Sequence, residues 1–145
     1  MNAFGPVLLM LFVGCAITFQ SLFSGTIGNR VGVMESAFII HLGGVLLAGL
    51  ILLVGMRGGN LGAWRAVPWY VYSAGFLGVL IVGGYSYAVP RLGLAASITL
   101  AIVVQLILGA VLDHFGILGA AQRSLDLWRG AGIAVLLAGT WLILR

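Results

Sequence analysis

Residues 100–116 read LAIVVQLILGAVLDHFG, an apolar run with a single amide, Gln105, before it closes on Asp113, His114 and Gly116. What an amide does in such a place depends on the solvent around it. Of the 145 residues 62% are hydrophobic and 7% charged, and the mean hydropathy is +1.21. A soluble domain carries roughly 25% charged residues, and a chain of this length cannot hide so much apolar surface from water. The solvent around Gln105 is a lipid bilayer.

Working outward from this run, the charged residues cut the chain into membrane-length pieces, since roughly 20 apolar residues cross a bilayer as a helix. Residues 1–29 carry no charge, 21 residues separate Glu35 from Arg57, 25 separate Arg65 from Arg91, and 21 separate Arg91 from Asp113. The pattern predicts helices over about 6–27, 36–56, 68–89 and 93–113. A short fifth helix is expected over about 127–144, with Arg129 and Arg145 reaching outward to the interfaces. Pro68 suits the first turn of the third helix. Trp64, Trp69 and Tyr70 at one end of that helix, Tyr85 and Tyr87 at the other, and Trp128 and Trp141 around the fifth read as interfacial belts. Tyr85 and Tyr87 have a second reading, as the mouth of a cavity. The longest connection, residues 114–126, has room for a small interfacial helix. The expected fold is an all-α integral membrane protein of five transmembrane helices, with residues 1–145 as a single domain. Glycine, 23 of the residues, recurs inside the second and third helices, where small side chains let membrane helices approach closely.

The charge pattern excludes several functions. The net charge of +4 comes from seven Arg against Glu35, Asp113 and Asp126, with no Lys. The Arg are scattered singly, which suits interfacial anchoring and not a nucleic-acid surface. Cys15 is the sole cysteine, so no internal disulfide forms. Two separated His and three carboxylates near helix ends make no catalytic triad, metal cage or phosphate loop. An enzyme, a cofactor and a metal are therefore not expected. The first residues lack the basic segment of a cleaved signal, and the apolar run past Cys15 to Ile27 fits a retained helix. Five spans put Arg57, Arg65, Arg123 and Arg129 on one face and Arg30, Arg91 and Arg145 on the other. Orientation follows such loop charges, and a near-even split suits insertion both ways up.

The chain resembles the drug/metabolite transporter superfamily, and within it the short five-helix YdcZ-type branch (domain of unknown function 606) of bacterial inner-membrane proteins. Gly14 and Gln20 carry the likeness in the first helix, Pro90-Arg91-x-Gly93 at the end of the third, and Gln105 in the fourth. Leu112-Asp113-His114-Phe115-Gly116, Arg129-x-x-Gly132 and Gly139 complete it. The likeness covers nearly the whole chain, and the Asp-His-Phe-Gly stretch with its upstream Gln is its most specific part. Ser24 stands where the family has Asn, and His41 is peculiar to this chain. The resemblance implies a multi-pass protein of the bacterial inner membrane that assembles as an antiparallel dimer, of one dual-topology chain or of two oppositely oriented paralogues. The Arg distribution favours the first.

Polar groups inside a membrane are costly and often functional. Gln105 lies roughly 18 Å into a core of about 30 Å, in the stripe Ser97, Ala101, Gln105, Gly109, Asp113. It reads either as an interhelical hydrogen bond or as a solute contact. Gln20, in the stripe Ala16, Gln20, Ser24, Gly28, lies roughly 12 Å from its face, level with Gln105 of an inverted second copy. His41 sits at a depth between Ser24 and Gln20; it reads as a neutral hydrogen-bonded ring or as a proton relay. The expected substrate-binding set is Gln20, Ser24, His41 and Gln105. Asp113 and His114 are expected to pair with Arg123 or Arg129, and Glu35 with Arg30. Two functions follow. One is a secondary transporter, an inverted homodimer among membrane lipids acting on a small apolar or neutral polar substrate. The other is a membrane-embedded accessory subunit, or one half of a heterodimeric transporter.

Overall fold

The computed structural model describes residues 4–55 and 58–145. Each charge-delimited piece forms one helix: α1 Phe4–Val31, α2 Val33–Leu53, α3 Ala74–Leu92, α4 Leu94–Phe115 and α5 Leu127–Ile143. The chain divides into two compact units, one through Arg91 holding α1–α3 and one from Leu92 onward holding α4 and α5. The segments Phe4–Val31, Val33–Leu53, Trp69–Leu92 and Leu94–Phe115 are long and apolar enough to cross a membrane. Leu127–Ile143 is a shorter apolar helix of 17 residues, roughly 25 Å long against a hydrocarbon core of about 30 Å.

Helix ends differ from expectation for local reasons. α1 continues through Asn29 to Val31, with Arg30 in its last turn, where a cation meets the negative end of the helix dipole. It stops at Gly32, whose φ of 117° is a conformation L side chains avoid, and Gly93, φ 85°, turns the chain likewise between α3 and α4. α3 starts late because Pro68 opens a 3₁₀ turn, Trp69–Ser73, before the α-helix begins. The expected end of the second helix at residue 56, and Arg57 in the charge count, lie outside the described residues.

In the first unit α1 presents Ser21, Ser24, Gly25 and Gly28 to α3. A methyl group added at Gly28 would lie 2.6 Å from the Ser86 Cβ, and one at Gly25 would lie 2.7 Å from the Val89 Cγ1. This is the close approach that small residues permit in membranes. Pro90 lies inside α3. Proline has no N–H, so the carbonyl four residues earlier, that of Ser86, loses its usual donor. That carbonyl lies against Gly28. Most large apolar side chains of each helix are exposed, from Phe12 and Leu46 to Leu108 and Leu142, as lipid-facing surfaces require.

The aromatic belt holds at one end of α3 and divides at the other. Trp64 and Tyr72 pack edge to face at 6.4 Å, the Tyr72 hydroxyl donates to the Trp64 carbonyl, and Arg65 lies over the Trp64 ring. At the far end Tyr87 is exposed with the Arg91 guanidinium 3.7 Å from its ring. Tyr85 instead turns inward and hydrogen-bonds Ser21 of α1.

Candidate functional site

The two units treat their polar side chains differently. In the first, Ser24 of α1, Ser36 in the opening turns of α2 and Ser86 of α3 converge, at 1%, 0% and 1% exposure. Ser36 donates to the Ser24 carbonyl at 3.1 Å and Ser86 donates to the Ser36 Oγ at 2.9 Å. The Ser24 hydroxyl lies 2.7 Å from the Ser86 Oγ and 2.9 Å from the Val82 carbonyl. Whichever of these Ser24 donates to, all three hydroxyl protons have an acceptor. Ser24, expected to contact solute, is thus enclosed and occupied by its neighbours. Ser36 and Ser86 were absent from the expected set because a serine can satisfy itself on its own helix as readily as across helices, and the Val82 carbonyl lies 2.9 Å from the Ser86 Oγ as an alternative acceptor. Their partners are set by packing, which leaves no mark in the sequence.

Gln20 is exposed on α1 and makes no hydrogen bond among the described residues. His41 is half-buried; its Nδ1 lies 2.7 Å from the Ala37 carbonyl. A carbonyl only accepts, so Nδ1 is the donor in this contact. Nε2 faces Gly78 of α3, where an added methyl would lie 2.9 Å away. Gln20, Ser24 and His41 share a unit. The cleft at the end of α1, about 280 Å³ and lined by Thr26, Asn29, Arg30 and Val89 among others, includes none of them. The expected pair Glu35–Arg30 does not form. Glu35 folds back over Gly32 at the start of α2, where the positive end of the helix dipole favours a carboxylate.

In the second unit the Leu112–Gly116 motif ends α4 and fastens the connection to α5. Gly116 takes the left-handed conformation that closes a helix, φ 60°. The Arg123 N–H donates to the Asp113 carbonyl at 2.8 Å, and the Leu125 N–H donates to the His114 Nδ1 at 3.1 Å. Asp126 caps α5 by accepting from the Arg129 N–H at 2.8 Å. The Arg129 guanidinium meets Asp113 at 3.8 Å, one of the two pairings expected. In place of an interfacial helix the connection holds a single 3₁₀ turn, Ile117–Gly119, followed by irregular chain.

Above this fastening α4 and α5 leave a groove of about 480 Å³, lined by Gln105, Leu106, Gly109, Ala110, Asp113, Arg129, Gly132, Ile133 and Leu136. The expected stripe on α4 divides here. Ser97 is buried and turns onto its own helix, donating to the Gly93 carbonyl at 2.8 Å. Gln105, Gly109 and Asp113 open onto the groove. Gln105 is exposed and has no hydrogen-bond partner among the described residues. A methyl group added at Gly109 or Gly132 would meet nothing within 4 Å, so the groove has room because both walls carry glycine. Of the expected set, only Gln105 lines this groove.

Helices of membrane length, lipid-facing apolar surfaces and polar groups held between helices define a multi-pass α-helical protein of a membrane. A sequence profile for the family described as "Putative inner membrane exporter, YdcZ" matches residues 5–142. The chain belongs to this family, as its Gln105 and Leu112–Gly116 motifs suggested, and it is a multi-pass protein of the inner membrane. The family description is one of transport and not of catalysis. No curated protein and no solved structure matches the chain.

Proposed function

We propose that the protein is a small secondary exporter, working as a dual-topology inverted homodimer with five spans per protomer, on a small apolar or neutral polar solute. The observation that carries this reading is the α4–α5 groove. In a chain of an exporter family, an amide midway along a membrane helix stands unpaired on the wall of a space of about 480 Å³. Solute sites of secondary transporters lie near the membrane midplane, and inverted repeats supply the symmetry for alternating access. An inverted pair supplies that symmetry from one short chain. α5 spans with help from its ends, where Arg145 lies over Trp141 at 4.0 Å and the bilayer adapts to a short helix.

The helix ends support a shared level for the two amides. Gln20 lies roughly 16 Å along α1 from Val31, and Gln105 roughly 16 Å along α4 from Leu94. Both distances are close to half of a core of about 30 Å. With the ends of α1 at Val31 and α4 at Leu94, inversion of a second copy would keep the two amides near one level. Gln20 and Gln105 are therefore the proposed solute contacts, with His41 as a further candidate from the first unit. Ser24 takes the structural role that its neighbours give it.

The test is topology. Reporters fused to the C-terminus are expected to signal on both sides of the membrane. Two Arg added at residues 90–93 are expected to favour one orientation and to impair homodimer assembly. Reporters on one side only would exclude the homodimer and make the chain half of a heterodimer or an accessory subunit.

A further inference from the structure

We infer that the solute taken by the α4–α5 groove is a small zwitterion with an apolar body, its two charges exchanged against the Asp113–Arg129 pair. This rests on the exporter reading of that groove. The pair is a single contact of 3.8 Å, beyond hydrogen-bond length, and its side chains are 34% and 40% exposed. Both residues line the groove. The Arg129 Nη1 also reaches the Arg123 carbonyl at 3.4 Å. The other guanidinium donors and the Asp113 carboxylate oxygens have no hydrogen-bond partner among the described residues. A planar guanidinium normally holds a carboxylate by two short bonds, and here it does not. Each charge has valence left for a guest.

Charge balance selects the guest. A lone cation on Asp113 would leave Arg129 without a counter-charge, and a lone anion on Arg129 would do the same to Asp113. Removing one partner from a partly desolvated pair is unfavourable. A molecule carrying an ammonium and a carboxylate replaces one loose contact with two charge-assisted hydrogen bonds and leaves the groove neutral. Beyond the pair the lining turns apolar, with Leu106, Ala110, Ile133 and Leu136, and Gly109 and Gly132 leave space for a side chain. Gln105 stands two turns deeper, roughly 12 Å along α4 from Asp113, which bounds the length of the apolar body and offers its far end a hydrogen bond.

The experiment measures binding to the purified full chain in detergent by calorimetry at neutral pH. Four matched probes are used: L-phenylalanine, 2-phenylethylamine as cation, 3-phenylpropanoate as anion and 3-phenylpropan-1-ol as neutral body. The expected result is that L-phenylalanine binds at least tenfold more tightly than each of the others. Asp113→Asn and Arg129→Gln are each expected to remove that preference. Because both residues also hold the α4–α5 connection, Gly132→Leu serves as a second variant. It fills open space, leaves the pair in place, and is expected to abolish binding of L-phenylalanine. Equal or tighter binding of the amine, the acid or the alcohol, still lost in Gly132→Leu, would overturn the zwitterion while keeping the groove. Binding indifferent to Gly132→Leu would overturn the groove as the solute site, and with it the exporter reading. No binding of any probe would overturn the zwitterion.

Discussion

The serine cluster and the α4–α5 groove are both polar places in an apolar chain, and they differ in one respect. In the first unit three hydroxyls from three helices are sealed and supply one another's partners. In the second an amide and a loose ion pair line open space with valence unspent. Satisfied polar groups between membrane helices act as fastening, each worth roughly 1 kcal/mol. Unsatisfied ones facing a cavity are where a solute gains affinity and specificity. Glycine marks the same contrast. Gly28 brings α1 onto the backbone of α3, whereas Gly132 keeps α5 back from nothing and leaves a void.

The sharpest break of this contrast is a matched pair of glycine substitutions. Gly28→Leu drives a side chain against the backbone and Cβ of Ser86, and is expected to destabilise the protein by about 3 kcal/mol, the upper range for overpacking. Gly132→Leu is expected to change stability by less than about 1 kcal/mol. Reversible unfolding in mixed micelles measures both. Similar values for the two would erase the distinction between fastening and void.

A smaller effect is expected within the fastening. Ser86→Ala removes the hydroxyl that meets Ser24 and Ser36, and is expected to destabilise by about 1–2 kcal/mol. Thr140 is also buried but bonds only to the Leu136 carbonyl of its own helix, so Thr140→Val, which keeps the shape and removes the hydroxyl, is expected to cost less than Ser86→Ala. The same unfolding assay checks both, and a neutral Ser86→Ala would remove the cluster's structural role.

Gln105→Leu is expected to leave unfolding and dimerisation unchanged while abolishing solute transport, because solute polar groups would lose a partner worth roughly 1–3 kcal/mol. Gln20→Leu is expected to behave alike. Stability loss with transport intact in both variants would return the amides to the class of fastening.

The smallest expected signal is none. Small multidrug exporters of the superfamily that this chain resembles rely on an acid in the first helix, and α1 has no acid. An amide cannot cycle its charge, so inverted vesicles holding the protein are expected to accumulate a quaternary ammonium cation under a proton gradient no better than empty ones. Accumulation above the control would show another group cycling charge.

The start of α3 was not legible, because Pro68 opens a 3₁₀ turn before the α-helix at Ala74, whereas the membrane-length pieces were, because charge is nearly forbidden in hydrocarbon. Gln105 was legible for the same reason, as a lone amide in residues 100–112. The roles of Ser24, Ser36 and Ser86 were not, because their meaning lies in which helix each one meets. Gln20 and Ser24 share one stripe on α1, yet one faces outward and the other is sealed. A turn of 40° between residues four apart is enough to separate them. The pairing of Asp113 with Arg129 was expected, but not that the contact would be loose enough to leave both groups available.

Cysteine accessibility compares the two places in one assay. Cys15 is exposed, so it is first replaced, and single cysteines are then placed at positions 105 and 86. In intact membranes a membrane-impermeant thiol reagent is expected to label position 105, through the groove, and to leave position 86 unlabelled inside the serine cluster. Silence at 105, or labelling at 86 equal to that at 105, would contradict the assignment of the solute path to the α4–α5 groove.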